Sequence, residues 1–275
     1  MLIWSRVLFI YTIMNINKET EIEIIRLSYF NTQKDISKSL NISIKKISQI
    51  LRENNISTGR KRLNESKLKF NINYFDVIDT KEKAYWLGFI SADGCLKNNR
   101  VRLVSKDEEV IVKFKKAIES EHKIVQSITT DKRSNKKYMS YYISITNNLF
   151  TRKLEKYVNV DKSHYFVMPE IDNELNSYFI AGMFDGDGSF TIYGKNNHRI
   201  RASLISTNEC LIQIRDILLN RGFSKTKIVE YKNYRVLFLY KNALDFLDYI
   251  YNDELSGVYL SRKYEKYKKY KNERE

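Results

Sequence analysis

Asp93 and Asp187 close two nine-residue segments of one design, WLGFISADG from Trp86 to Gly94 and IAGMFDGDG from Ile180 to Gly188. An acid that follows an apolar run and precedes glycine, twice in one chain, reads as an internal duplication. Two carboxylates related by a repeat are what a two-fold symmetric divalent-metal site needs, and such a site suits the cutting of something symmetric. One copy alone would read as a packed structural helix with a solvated terminal acid. The second copy turns the balance.

Each acid needs an element to place it. Gly88 and Ala92 stand at i and i+4, as do Gly182 and Gly186. On a helix each pair forms a bare stripe that lets two backbones approach closely. Trp86, Leu87, Phe89, Ile90, Ile180, Met183 and Phe184 supply apolar surface on the remaining faces. Gly94 and Gly188 are expected to end the helices in the left-handed conformation. Each aspartate then sits at a negative helix end, where a divalent cation is the natural compensation.

These residues resemble the LAGLIDADG homing endonucleases in their single-chain, two-motif form, from about Tyr74 to Lys271. The resemblance implies an α+β class, a pseudo-symmetric duplicated αββαββα fold with the motif helices at the interface of the halves. It assigns Asp93 and Asp187, with the adjoining Gly94 and Gly188, to a site for Mg2+ or Mn2+. It also implies hydrolysis of one phosphodiester per DNA strand across the minor groove, leaving short 3′ overhangs. The first motif departs from the second in having Ser91 where the other has Asp185. That acid is not generally a metal ligand in the family.

The sequence between the motifs fits the repeat. Ser189 to Tyr193 and Arg199 to Ser206 alternate around a Gly194 to Asn197 turn, and Arg100 to Ser105 alternates in the first half. Helical spacing runs over Val110 to Ile118 and Leu211 to Leu218. Hairpins follow near Ile124 to Thr130 with Tyr138 to Thr146, and Lys227 to Tyr231 with Tyr234 to Tyr240. Closing helices run over Leu149 to Tyr157 and Ala243 to Tyr251. Arg100 and Arg102 share one strand face, as do Arg199, Arg201 and Ser203. Such faces suit a curved sheet in a DNA major groove, although a plain solvated face would alternate in the same way.

Phosphodiester hydrolysis also needs positive charge against the developing oxyanion. By resemblance a basic residue ends the last strand of each half. Lys241 stands there in the second half, Asn147 or Asn148 in the first, and Lys106 is the substitute candidate. This asymmetry speaks against equal cutting of the two strands. An ordinary surface lysine is the bland explanation for either position.

Composition agrees. A net charge of +15, from 48 Lys and Arg against 33 Asp and Glu, favours a polyanionic partner. One proline, nine glycines and 13% aromatic residues argue against disorder or low-complexity linkers. Cys95 and Cys210 stand apart with no histidine at ligand spacing, so both are expected to be buried thiols in a reducing compartment, with no zinc site.

Before the first repeat, QKDISKSLNISIKKISQILRENN from Gln33 resembles a helix-turn-helix. Ile36 and Leu40 lie on one helix, Asn41 in a left-handed turn, and Ile47, Ile50 and Leu51 on a second, with Glu21 to Phe30 as the preceding helix. Lys45, Lys46, Gln49 and Arg52 face outward as DNA contacts. A generic three-helix bundle is the alternative. Ser57 to Arg62, STGRKR, reads as a basic linker. Residues 1–13 are apolar but too short to span a bilayer, and Met14 is the suspected true start. The stretch from Tyr259 to Glu275 reads as an amphipathic or frayed helix and a solvated tail.

The sequence thus predicts residues 14–60 as a helix-turn-helix, 74–165 as the first repeat and 170–271 as the second. The function expected is a monomeric, site-specific double-strand DNA endonuclease, intracellular and located with DNA, not secreted and without a membrane partner. Intron RNA is a further partner. No splicing-type ends are visible, which favours an intron-encoded or free-standing gene over an intein. A cleavage-inactive DNA- or RNA-binding protein, such as a maturase or transcription regulator, is the alternative.

Overall fold

The computed structural model describes residues 18–28, 31–54, 56, 68–130, 135–159, 162, 165–195, 199–232 and 234–274. They fall in two compact units dividing between Leu63 and Asn64. The apolar stretch 1–13, Met14, the STGRKR segment and the turn residues 196, 197 and 233 lie outside the described residues.

The first unit holds three helices, α1 (Lys18–Ser28), α2 (Gln33–Leu40) and α3 (Ile44–Glu53). Helix α2 opens on a capping box. The Asp35 amide donates to Thr32 Oγ1 at 3.1 Å and the Thr32 amide to Asp35 Oδ2 at 3.2 Å. It ends at Asn41, in the expected left-handed conformation with φ 52° and ψ 38°. Ser43 then caps α3 by accepting from the Lys46 amide at 3.3 Å. Ile24, Ile36, Ile47, Ile50 and Leu51 form the core of this unit.

The second unit carries the order α-β-β-α-β-β-α twice. The first run is α4 (Lys81–Asp93), β1 (Gly94–Lys97), β2 (Arg100–Ser105), α5 (Glu108–Ala117), β3 (Val125–Thr130), β4 (Lys137–Thr146) and α6 (Asn148–Glu155). The second is α7 (Asn176–Asp187), β5 (Gly188–Tyr193), β6 (Arg199–Ser206), α8 (Asn208–Asn220), β7 (Thr226–Glu230), β8 (Arg235–Leu239) and α9 (Ala243–Ile250). Helix α10 (Ser261–Asn272) follows. Each run forms a four-stranded antiparallel sheet, in the orders β1-β2-β4-β3 and β5-β6-β8-β7.

Alternation fixes which strand face is inside. Val101 and Leu103 on β2, and Ile200, Ala202 and Leu204 on β6, are buried, while the arginines between them point outward. Strand β1 turns into β2 through Asn98 and Asn99, both at positive φ (53° and 57°), the hand that matches strand twist in a two-residue hairpin. Helix α5 packs on β2 and β4, and α8 on β6, β7 and β8.

Helices α4 and α7 form the seam. Residues Ala84 to Ser91 of α4 and Asn176 to Asp185 of α7 are all buried, as helices apolar on every side must be. A Cβ on Gly88 would overlap the Phe179 carbonyl oxygen, and one on Gly182 would overlap that of Tyr85 and stand 2.7 Å from the Phe89 amide nitrogen. The bare stripes therefore do what their spacing implies.

Two expectations fail here. From Tyr259 the chain forms the expected amphipathic helix, α10, but it is no solvated tail, because Tyr259, Lys263, Tyr267 and Tyr270 are buried. Tyrosine and lysine stems carry enough apolar length to cover a core face while looking polar in sequence. Cys210 is buried as expected, but Cys95 is exposed, since it falls on the outward phase of β1.

Candidate active site

The seam ends where the two acids stand. A Cβ on Gly186 would lie 3.4 Å from Asp93 Oδ2 and would overlap the Ala92 methyl, so the C-terminal turns of α4 and α7 approach as closely as small residues allow. Asp93 is partly buried and its carboxyl is pushed up to about 6, first by burial and then by the charge of Asp187, against the pull of Lys162 and Lys263. The Asp187 residue is more open to solvent. Burial of its carboxyl still raises it, against the same two lysines.

Gly94 and Gly188 are not left-handed, as expected, but extended, with φ of −77° and −90°. The chain passes straight from helix into β1 or β5. Glycine is needed for space instead of handedness: a Cβ at either position would stand 2.5 Å from the carbonyl oxygen of Ile90 or Phe184. The Gly188 carbonyl, assigned to the metal site by resemblance, accepts the Lys263 ammonium at 2.6 Å.

Two lysines that sequence reasoning did not single out complete the centre. Lys162 donates to the carbonyls of Ile90 (3.0 Å), Ser91 (2.8 Å) and Ala92, the last turn of α4. Lys263 donates to those of Phe184 (2.6 Å), Asp185 (3.0 Å) and Gly188, at the end of α7. Cations belong at helix C-termini, and these ones offset the negative ends at which the acids sit. Burial draws both ammoniums down to about 8, while Asp187 and Asp93 push Lys162 back up and Asp185, ahead of those two, does so for Lys263. The legible signal was one lysine beyond the closing helix of each repeat. In a chain with 48 basic residues it does not stand out.

Asp185 has a different task. It is buried at 2% exposure and accepts from Tyr85 Oη (2.8 Å), the Leu260 amide (2.8 Å) and Tyr251 Oη. It thereby holds the residue that starts α10, while Lys263 of α10 returns to the Asp185 carbonyl. Burial raises its carboxyl, against Lys263 and these three donors. Ser91, its counterpart, only donates to Leu87 O at 2.8 Å.

Of the expected lysines, Lys106 joins Asp93, Gly186, Gly188 and Lys263 in lining a cavity of about 600 Å³. Lys241 does not. It is exposed beyond the end of β8, next to Lys225, and Leu239 already lies level with Ala202, two residues along β6 from the Leu204 that pairs with Gly188. The last strand ends away from the acids because β5 starts beside them and β8 runs in the same direction. Arg100, Arg102, Arg199, Arg201 and Ser203 lie on the outward sheet faces. In the first unit Lys45, Gln49 and Arg52 are exposed and Lys46 partly so, with Gln49 Nε2 donating to Glu53 at 2.8 Å.

The donor set fits a hard divalent cation. Neither Asp93 nor Asp187 has a hydrogen bond or ion pair to any described residue, in contrast to the three donors on Asp185. Among the described residues no three His, Cys, Asp or Glu side chains converge. Two carboxylates with water and substrate phosphate complete the shell that Mg2+ commonly takes. Among the same residues no helix is long and apolar enough to cross a membrane.

Residues 80–159 and 174–255 each match the family model of the LAGLIDADG-like domain, and both lysines lie just past the ends of the matched segments. Solved structures similar to this chain include full-length DUF199/WhiA from Thermatoga maritima, 19% identical over 74% of this chain and 65% of that one, with a TM-score of 0.45. Others are the homing endonuclease I-WcaI bound to its DNA recognition sequence (13% identity, 77% and 95% coverage, TM-score 0.49) and I-DmoI in complex with DNA and Ca (16%, 67% and 93%, TM-score 0.41). The chain spans just under two thirds, 65%, of the WhiA chain. None of the curated proteins matches it in sequence.

Proposed function

Because this chain belongs to the LAGLIDADG-like domain family, we propose that it is a site-specific double-strand DNA endonuclease of the homing type, using Mg2+ or Mn2+. One observation carries the reading: two carboxylates meet at the seam end with no protein donor, while the neighbouring Asp185 is fully partnered. Asp93 and Asp187 would hold the cation, which when bound supplies Lewis acidity and an activated water. The chain's own part is to keep the acids close, through Gly186 and Ala92, and to keep ammonium groups beside them. The cavity adds Lys106 where a phosphate would dock. The outward arginines and hydroxyls of the two sheets would anchor and read duplex DNA, and the first unit would act as a helix-turn-helix with Lys45, Lys46, Gln49 and Arg52 toward the groove. The protein would act as a monomer inside the cell, with DNA.

A second reading, a cleavage-inactive DNA- or RNA-binding protein with intron RNA among its ligands, is favoured by one feature. Lys162 and Lys263 already compensate the helix ends, so the seam can stand without a cation.

The test is incubation with Mg2+ and a library of candidate duplexes. Wild type should cut a defined site; Asp93→Asn and Asp187→Asn should lose at least about a hundredfold in rate while still binding. Cleavage unchanged in both variants refutes the chemistry, and binding without cutting supports the second reading. Deleting residues 14–60 should lower the slope of log affinity against log salt by about one for each phosphate that the first unit neutralises. An unaltered slope removes the DNA role from the first unit.

A further inference from the structure

Arg102 stands on β2, an inner strand of the first sheet, between Cys95 on β1 and Ser144 on β4. It belongs to the outward face, because Val101 and Leu103 on either side are buried. Its guanidinium carbon lies 3.8 Å from the ring centroid of Tyr142. Tyr142 pairs with Val104, which lines the cavity that reaches Asp93, so the side chain leans toward the acid end of the sheet. At this separation the planar ion is stacked on the ring, with one face covered and its fork left over.

That fork is unspent. Among the described residues Arg102 has no hydrogen-bond or ion-pair partner, and its Nε is buried without one. Arg235, by contrast, is committed to Glu230 at 2.5 Å and Arg262 to Asp107 at 2.9 Å. A half-buried guanidinium held flat and left unpaired is unfavourable in the free protein and awaits a matching pair of acceptors. In a duplex groove phosphates line the rims and base edges the floor, and an inner strand faces the floor. The major-groove edge of guanine presents O6 and N7 at the spacing of the guanidinium fork.

We propose, resting on the DNA-binding reading above, that Arg102 selects one guanine near the cleavage centre by a bidentate contact, with Tyr142 fixing the plane of the guanidinium. The second sheet differs at the matching place. Ser203 takes the place of Arg102, its hydroxyl lies 3.0 Å from that of Ser189, and Phe238 stands where Ser144 does. The pseudo-symmetric base pair in the other half is therefore read differently; Arg201 of the second sheet stands over Phe238 at 5.7 Å, but it is exposed and lies two residues along β6 from Ser203, toward a different base pair.

Binding-site selection by the full chain from a randomised duplex pool in EDTA, followed by sequencing, tests this without requiring cleavage. The wild-type motif should contain a position near its centre at which guanine is preferred about 5- to 150-fold, the range of one bidentate contact, while the pseudo-symmetric position in the other half lacks that preference. Arg102→Ala should erase that column and keep the others. Arg102→Lys, which keeps the charge but not the planar fork, should weaken the preference, and so should Tyr142→Leu at the same position. A guanine column that persists in Arg102→Ala overturns the proposal. So does a uniform loss of affinity over all sequences with a reduced salt slope, which marks a phosphate contact. A wild-type pool with no enriched motif overturns the DNA-binding reading itself, and the proposal with it.

Discussion

Lys263 reaches the end of α7 from the first turn of a regular helix that Asp185 anchors at Leu260, whereas Lys162 reaches the end of α4 from a turn beyond α6, with only Ser91 where the anchor would be. The ammonium groups do matching work from unlike supports. The seam glycines recur in both halves because each receives the backbone of the opposite helix, and the lysines because each covers the end of one motif helix. Asp185 against Ser91, and Arg102 against Ser203, differ in side chains outside those contacts, where one half can change without a matching change in the other. Duplication therefore keeps a symmetric centre and frees its surroundings.

Removing the anchor tests the difference most severely. Asp185→Ser gives the second half the residue of the first. It leaves two buried tyrosine hydroxyls and a backbone amide without their acceptor and Lys263 without the charge of the Asp185 carboxylate, and should cost about 3–5 kcal/mol in denaturant unfolding. Ser91→Ala, at the matching place, should cost under about 1 kcal/mol. Equal losses would erase the contrast.

Next in size are the seam glycines, where the halves should behave alike. Gly88→Ala and Gly182→Ala each force a methyl into the partner helix backbone, and each should cost about 1–3 kcal/mol or more by the same measurement. A loss at one glycine only would mean that the seam is less symmetric than its geometry.

The smallest effect compares the two acids. Asp93 titrates near pH 6 in the fold, against an ordinary value of 3.8. Between those values the native state holds a proton that the unfolded chain has released, so stability falls as pH rises through that window and stays down above it. Asp93→Asn removes the fall. It should exceed wild type in stability by ~1–2 kcal/mol at about pH 8, allowing for partial exposure, and match it near about pH 3.5. The more open Asp187→Asn should gain less. Added Mg2+ should narrow both gaps, because a cation stabilises the ionised pair. A thermal-melt series across pH that shows no such convergence at low pH would separate Asp93 from its assigned environment.

Local rules made much of this fold readable. Alternation gave the strand faces on β2 and β6, the small-residue stripes gave the seam, and Asn41 gave the turn between α2 and α3. Each of these is a property of near neighbours in sequence. What escaped was long-range. Lys162 and Lys263 act through carbonyls far upstream, so no local pattern marks them, and Lys241 was misplaced because the end of a strand says nothing about which end of the sheet faces the acids. The buried face of helix α10 was missed because Tyr and Lys report polarity at their tips while their stems bury.

The sequence by itself determined that two acids recur at the ends of two buried helices, and that the chain carries the repeated αββαββα order with a strongly basic balance. Spacing and side-chain type suffice for these, because helix and strand periods are local. Only the tertiary structure decided which cations stand beside the acids, which of the two motif acids in the second half is left unsatisfied, and which arginine is held with its donors free. Those are settled by burial and by partners distant in sequence, and a carboxylate or guanidinium takes its role from what surrounds it.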